Sequence, residues 1–153
     1  MSNTANQKKR RAERTRAFLN QLMERYPACF VWDRKTVRPL AIGIQERLRE
    51  DLNNDPEWSD TPNWLIKQAL ARYTHAPSYL EAIVAGRSRV TLDGSDAGDV
   101  TDEARQHARE RREEQKKLAA QRRHRARKER ERPSRDERQR RKLERLAEKF
   151  NST

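Results

Sequence analysis

Tyr79, Arg87 and Arg89 stand close together in the stretch HAPSYLEAIVAGRSRVTLDG, residues 75–94, and their types suit chemistry with an anion. Alternate residues of an extended strand share a face, so Arg87 and Arg89 can point the same way. An aromatic ring and a hydroxyl beside two guanidinium groups offer stacking together with hydrogen bonds to phosphate or ribose. A plainer reading fits the same residues: Tyr79 fills core and the arginines cover an exposed strand face. Spacing alone leaves both open.

Other chemistry finds little support. His75, His107 and His124 lie far apart and share no ligand spacing with Cys29, so no metal site is expected. There is no G-x-x-x-x-G-K, and Gly43, Gly86, Gly94 and Gly98 form no phosphate-cradling loop. No Ser or Cys sits in a recognisable motif with a base and an orienting acid. The reading is a protein that is not an enzyme and needs no cofactor. Cys29, the single cysteine, excludes an internal disulfide and reads as a small buried hydrophobe within Ala28–Trp32.

The elements that must position these residues lie in a chain of two characters. Of 153 residues 39% are charged, the formal net charge is +12 and the mean hydropathy is −1.32. Residues 1–16 carry six basic and one acidic side chain, residues 17–100 ten and twelve, and residues 101–153 twenty and eleven. The apolar side chains do the opposite: all three Trp, all three Tyr and two of the three Phe fall between Phe18 and Tyr79. A nearly neutral centre with basic arms attracts polyanions, nucleic acid first and an anionic membrane surface second. Lys8, Lys9, Arg10 and Arg11 at one end, and Arg122, Arg123 and Arg125 at the other, are auxiliary phosphate contacts. Such contacts carry affinity without selecting a partner. No apolar run approaches a membrane span or a secretory signal, so a cytoplasmic protein is expected.

Phe18, Leu19, Leu22 and Met23 predict a first helix over about Ala12–Arg25, followed by a short extended piece near Phe30–Asp33. Leu40, Ile44, Leu48 and Leu52 predict a second helix, with Pro39 in its first turn. Asp60-Thr61-Pro62 reads as a cap and first-turn proline for a third, running to Thr74. A short helix follows over Tyr79–Val84. Arg87–Leu92 alternates as a strand, with Gly98–Thr101 as its returning partner. Thr101 starts a charged helix reaching about Arg132, without the heptad seam of a coiled coil, so a monomer is expected. Ser134-Arg135-Asp136-Glu137 is a capping-box pattern, and Leu143, Leu146, Ala147 and Phe150 form one stripe of a partly helical end.

Several blocks, in unbroken order over about residues 15–110, resemble the ProQ/FinO family of bacterial RNA chaperones. They include Arg25-Tyr26-Pro27-Ala28-Cys29-Phe30, Arg38-Pro39-Leu40-Ala41-Ile42-Gly43-Ile44 and Ala69-Leu70-Ala71-Arg72-Tyr73-Thr74. Ser78-Tyr79-Leu80, Arg89-Val90-Thr91-Leu92-Asp93-Gly94 and Thr101-Asp102-Glu103 continue the match. The resemblance implies a mainly α domain with a small β element at residues 15–110, and the charge distribution leaves a basic arm at 1–14 and a basic extension, helical or disordered, at 111–153. The resemblance also implies binding to structured RNA: small RNAs, antisense RNAs and mRNA 3′ ends, each a stem-loop with a single-stranded 3′ tail. It further implies protection of those RNAs and promotion of RNA–RNA pairing.

On that likeness Tyr79 and Arg89 match a family tyrosine and arginine needed for RNA, Arg38 belongs to the R-P-L block, and Lys67 matches a basic position on the preceding helix. The start of that helix, near Thr61–Asn63, would turn backbone donors toward phosphate. The sequence departs from many members at Ala41 and Ala71, where they are basic. Arg72, one residue along and turned by roughly 100° on a helix, either compensates or points elsewhere. Two other readings stand beside this one: a protein-interaction adaptor contacting a ribosome or transporter through the Leu143/Leu146/Phe150 stripe, and a peripheral membrane binder using the basic arms.

Overall fold

The computed structural model describes residues 4–151, which form six helices. They are α1 (Ala5–Arg25), α2 (Ile44–Asn53), α3 (Asn63–Thr74), α4 (Pro77–Val84), α5 (Asp102–Glu131) and α6 (Arg135–Asn151). The chain divides into two compact units between Glu114 and Gln115.

In the first unit α3 packs against α1, α2 and α4. Its composition explains that place: Leu65, Ile66, Ala69, Leu70 and Tyr73 are all buried, so α3 is apolar around most of its girth. Phe18, Leu19 and Leu22 of α1 and Leu48 and Leu52 of α2 close over it. Tyr73 sits at the centre. Its ring meets Phe30 at 5.2 Å and Tyr79 at 5.5 Å edge-on, and Trp32 at 5.7 Å in a tilted arrangement. Its hydroxyl accepts from Val31 N–H at 3.1 Å and lies 3.2 Å from Val31 O, so a side chain satisfies the backbone where an extended piece was expected. Cys29 is buried, and burial pushes its thiol up to about 12.

Four boundaries differ from the pattern reading. Helix α1 begins at Ala5, because Thr4 and Gln7 form a reciprocal capping box. The second helix begins at Ile44 instead of Pro39: Leu40 is drawn into a parallel bridge with Val90, and Gly43 turns the chain at φ 81°, a conformation that side chains oppose. Helix α3 has Pro62 at its N-cap and no side-chain cap, since the Thr61 hydroxyl donates instead to Trp58 O at 2.6 Å. Helix α4 takes Pro77 as its first residue.

The expected strand pair is reduced to isolated bridges, and no extended strand occurs among the described residues. The chain returns at Ser95–Gly98, earlier than Gly98–Thr101. Thr91 N–H donates to Ser95 O at 2.9 Å, Ala97 N–H to Arg89 O at 2.8 Å and Arg89 N–H to Gly98 O at 2.7 Å. Gly94 N–H donates to Thr91 O at 3.0 Å and closes the turn. At Gly94 (φ 90°) a Cβ would lie 2.7 Å from Ala28 Cβ.

Thr101 caps α5 by accepting from Ala104 N–H at 3.1 Å. The first turns of α5 are held to α4 by Arg105 Nε on Val84 O (3.2 Å) and Arg112 Nε on Glu81 (3.1 Å). In the second unit the rest of α5 is almost entirely exposed. Ser134 accepts from Glu137 N–H at 3.2 Å and starts α6, a complete helix with no buried residue. Leu143, Leu146 and Phe150 are exposed on it.

Candidate functional site

Four of the candidate residues converge on one short stretch of backbone. The Leu40–Val90 bridge is made by Ala41 N–H on Val90 O (2.9 Å) and Val90 N–H on Pro39 O (2.8 Å). Around it the arginines reach across in both directions. Arg38 donates through Nε to Ser88 O (3.0 Å) and through Nη2 to Ser88 Oγ (2.7 Å) and Arg89 O (3.0 Å). Arg87 Nη1 returns to Val37 O (2.8 Å) and Arg34 O (3.0 Å), and Arg89 Nη1 to Leu40 O (2.9 Å). Planar guanidinium groups with five donors each are suited to this, since one side chain can satisfy several carbonyls at once.

Tyr79 completes the cluster from beneath. It is 6% exposed, with its ring in the core, and its phenolic oxygen accepts from Leu40 N–H at 3.0 Å. Burial raises its pKa, partly opposed by that N–H and by the Arg89 charge. The hydroxyl thus fixes the backbone that carries the cluster, and its own proton is not used in that bond. Arg89 Nε is buried without a hydrogen-bond partner. Such a group is costly unless something accepts from it. Tyr79 thus fills core, and Arg87 and Arg89, half-buried and in no strand, fasten backbone carbonyls instead of covering an exposed strand face.

Lys67 and Arg72 are both exposed on α3, and neither makes a hydrogen bond or ion pair to this cluster among the described residues. Lys8, Lys9, Arg10 and Arg11 line the exposed start of α1, while Arg122, Arg123 and Arg125 lie on the exposed part of α5 in the second unit. The sequence reading missed Ser88, which anchors Arg38 through both its carbonyl and its hydroxyl, and the Leu40 backbone, which joins Tyr79 to Arg89. Nothing local marks either one; only the long-range bridge brings them together.

A groove of about 740 Å³ opens beside the bridge, bordered by Ala28, Ala41, Ile44, Arg47, Leu92 and Ser95. Its charges are largely balanced. Arg25 is paired with Asp55 at 2.7 Å and with Asp51 at 3.5 Å, and Asp51 also accepts from the Tyr26 hydroxyl. The Thr91 hydroxyl and Ser95 N–H hold the Asp93 carboxyl down to about 2. Among the described residues no group of three or more His, Cys, Asp or Glu is placed to hold a metal ion, and no helix is long and apolar enough to cross a membrane.

Comparison with known proteins gives concordant results. The family model described as ProQ/FINO family matches residues 12–143. An RNA chaperone ProQ of Aliivibrio fischeri (strain MJ11) is 38% identical over 102 residues, 67% of this chain and 47% of that protein. An RNA chaperone ProQ of Shewanella amazonensis is 42% identical over 94 residues, covering 61% of this chain and 41% of that one. The chain thus spans about half the length of the curated relatives it matches. Among solved structures, the crystal structure of a FinO-like RNA chaperone from Neisseria meningitidis MC58 matches with TM-score 0.51 and 26% identity, over 64% of this chain and 73% of that one. The solution structure of a ProQ homolog from Legionella pneumophila matches with TM-score 0.53 and 27% identity, over 63% and 78%.

Proposed function

Because the chain belongs to the ProQ/FINO family, we propose that it is an RNA chaperone that binds structured RNAs by a stem-loop and the single-stranded 3′ tail behind it. The convergence of Tyr79, Arg38, Arg87 and Arg89 on the Leu40–Val90 bridge carries this reading. A phosphate or ribose oxygen arriving there meets guanidinium groups already held by backbone carbonyls. Donors already fixed to backbone lose little freedom on binding, which favours a defined RNA end over polyanion in general.

Residues 15–110 act as the selecting domain. Lys67 and Arg72 extend its basic face, and the uncapped start of α3 turns N–H groups outward toward phosphate. The arms, 1–14 and 111–153, supply attraction and screen repulsion between two strands, so that pairing is promoted. The targets are small RNAs, antisense RNAs and mRNA 3′ ends, bound by a cytoplasmic monomer.

The test is a binding comparison at about 150 mM salt, where exposed charges are screened beyond ~8 Å. A terminator-like hairpin ending in a U tail with a free 3′-hydroxyl is set against the same hairpin with a 3′-phosphate. Preference for the hydroxyl, lost in Arg89→Ala, is the expected result. Equal affinity for the two ends removes the cluster as the reader of the RNA end.

A further inference from the structure

A second aromatic–arginine site lies on the seam between α1 and α3. Trp64, in the first turn of α3, has the guanidinium carbon of Arg11 5.6 Å and that of Arg14 5.4 Å from its ring centroid. Beside them is a cleft of about 280 Å³ lined by Gln7, Arg10, Arg11, Arg14 and Trp64. The two helices are held in register there, since the buried Thr15 hydroxyl lies 2.8 Å from Arg11 O and 3.2 Å from Gln68 Oε1. Gln7 is fixed by the capping box with Thr4.

The other arginine–tryptophan contact shows what a purely structural version looks like. Arg25 lies 5.1 Å from the Trp58 ring, but Asp55 and Asp51 neutralise it. The hydrogen bond to Tyr26, and after it the one to Asp55, hold its guanidinium proton more tightly than usual. Arg10, Arg11 and Arg14 have no ion pair among the described residues, and no acid lines their cleft. The first turn of α1 also lacks an acidic residue, whereas α5 and α6 each open with two. Three uncompensated guanidinium groups around an indole therefore match a ligand that is at once anionic and flat.

We propose that the Trp64 cleft is a second nucleotide site, taking an unpaired base against the indole–guanidinium stack with its flanking phosphates on Arg10, Arg11 and Arg14. This rests on the RNA-binding reading above, but it uses residues outside the Tyr79–Arg89 cluster. Stacking on an aromatic ring accepts any base, and arginine planes add to it, so the site discriminates unpaired from paired RNA and not one sequence from another.

The experiment compares oligoadenylate with an abasic RNA of equal length and charge, at low salt, on the full-length protein. The expected result is a preference of about tenfold for oligoadenylate, as loss of one stacked base would give. The preference disappears in Trp64→Leu and persists in Trp32→Leu, Trp32 being 47% exposed and the obvious rival ring. Thermal melting checks that Trp64→Leu is folded. The surface variant Arg10→Gln/Arg11→Gln/Arg14→Gln, all at exposed positions, supplies the same answer without touching the core: it weakens both RNAs and narrows their difference. No binding of oligoadenylate, equal binding of the two RNAs, or a preference that survives Trp64→Leu overturns the proposal. The two hairpins differ only at the 3′ end, so whatever this cleft adds is common to both, and failure of either reading is told apart from failure of the other.

Discussion

Arginine does two different jobs in the two units of this protein. In the first, Arg38, Arg87, Arg89 and Arg105 donate to backbone carbonyls at 2.8–3.2 Å, reaching from one segment to another. In the second, Arg122 and Arg130 reach no further than the carbonyl four residues back on their own helix, at 3.5 and 3.4 Å. The difference is the availability of acceptors. Helix α6 has no buried residue and the exposed part of α5 leaves carbonyls engaged in its own ladder, so guanidinium groups there stay in water. Around the Leu40–Val90 bridge the backbone is irregular, and carbonyls left over by the missing ladder are taken up by side chains. Arginine is a fastener where secondary structure is incomplete and a solvent-exposed charge where it is complete.

Breaking that comparison should be most visible at Arg38. Arg38→Ala strips partners from Ser88 and the Arg89 carbonyl, and is expected to destabilise the first unit by about 3 kcal/mol, the scale of lost charge-assisted hydrogen bonds. Chemical denaturation measures it. A loss under about 0.5 kcal/mol would mean that the guanidinium is no more structural than one on the tail.

Tyr79→Phe should follow, at about 1–2 kcal/mol, because it leaves Leu40 N–H buried without its acceptor. The buried phenols also set an alkaline limit. Burial pushes Tyr73 up to about 12, and Tyr26 likewise with help from Asp51, so the folded state keeps protons that the unfolded chain gives up near pH 10. Stability from these groups is present below about pH 10 and is lost as pH climbs toward 12. Melting curves across that window should fall, and Tyr73→Phe should make the fall shallower even though the variant is less stable at neutral pH. A fall of unchanged steepness would assign the alkaline limit elsewhere.

The smallest effect on folding belongs to the tail. Arg122→Gln/Arg123→Gln/Arg125→Gln is expected to shift stability by less than about 0.5 kcal/mol. Its signature lies in binding, where the salt slope for duplex RNA should flatten by up to about 2–3, as for three lost phosphate contacts. An unaltered slope would show that these residues touch no phosphate.

Much of this was open to a reading of residues in order. Leu48 and Leu52 announce the buried face of α2, Thr101 and Ser134 the starts of α5 and α6, and the charge split the contrast between centre and ends. These are local: a cap bonds three residues on, and a helical face repeats within a turn. The candidate cluster was legible in its members but not in its arrangement. Leu40 fits the apolar repeat of the second helix and yet belongs to the bridge, because its partner Val90 lies fifty residues further on. The same distance hides Ser88 from Arg38.

The sequence by itself determined which segments are helical, which residues are apolar enough to form the core, and that positive charge sits at both ends. Periodicity, capping and composition act over a few residues, so order along the chain suffices to express them. Only the tertiary structure decided that α2 starts at Ile44, that Tyr79 holds the backbone of Leu40, and that Trp64 lies among the arginines of α1. Each of these depends on which distant group reaches an unsatisfied donor, acceptor or ring first, and that competition is settled by packing in three dimensions.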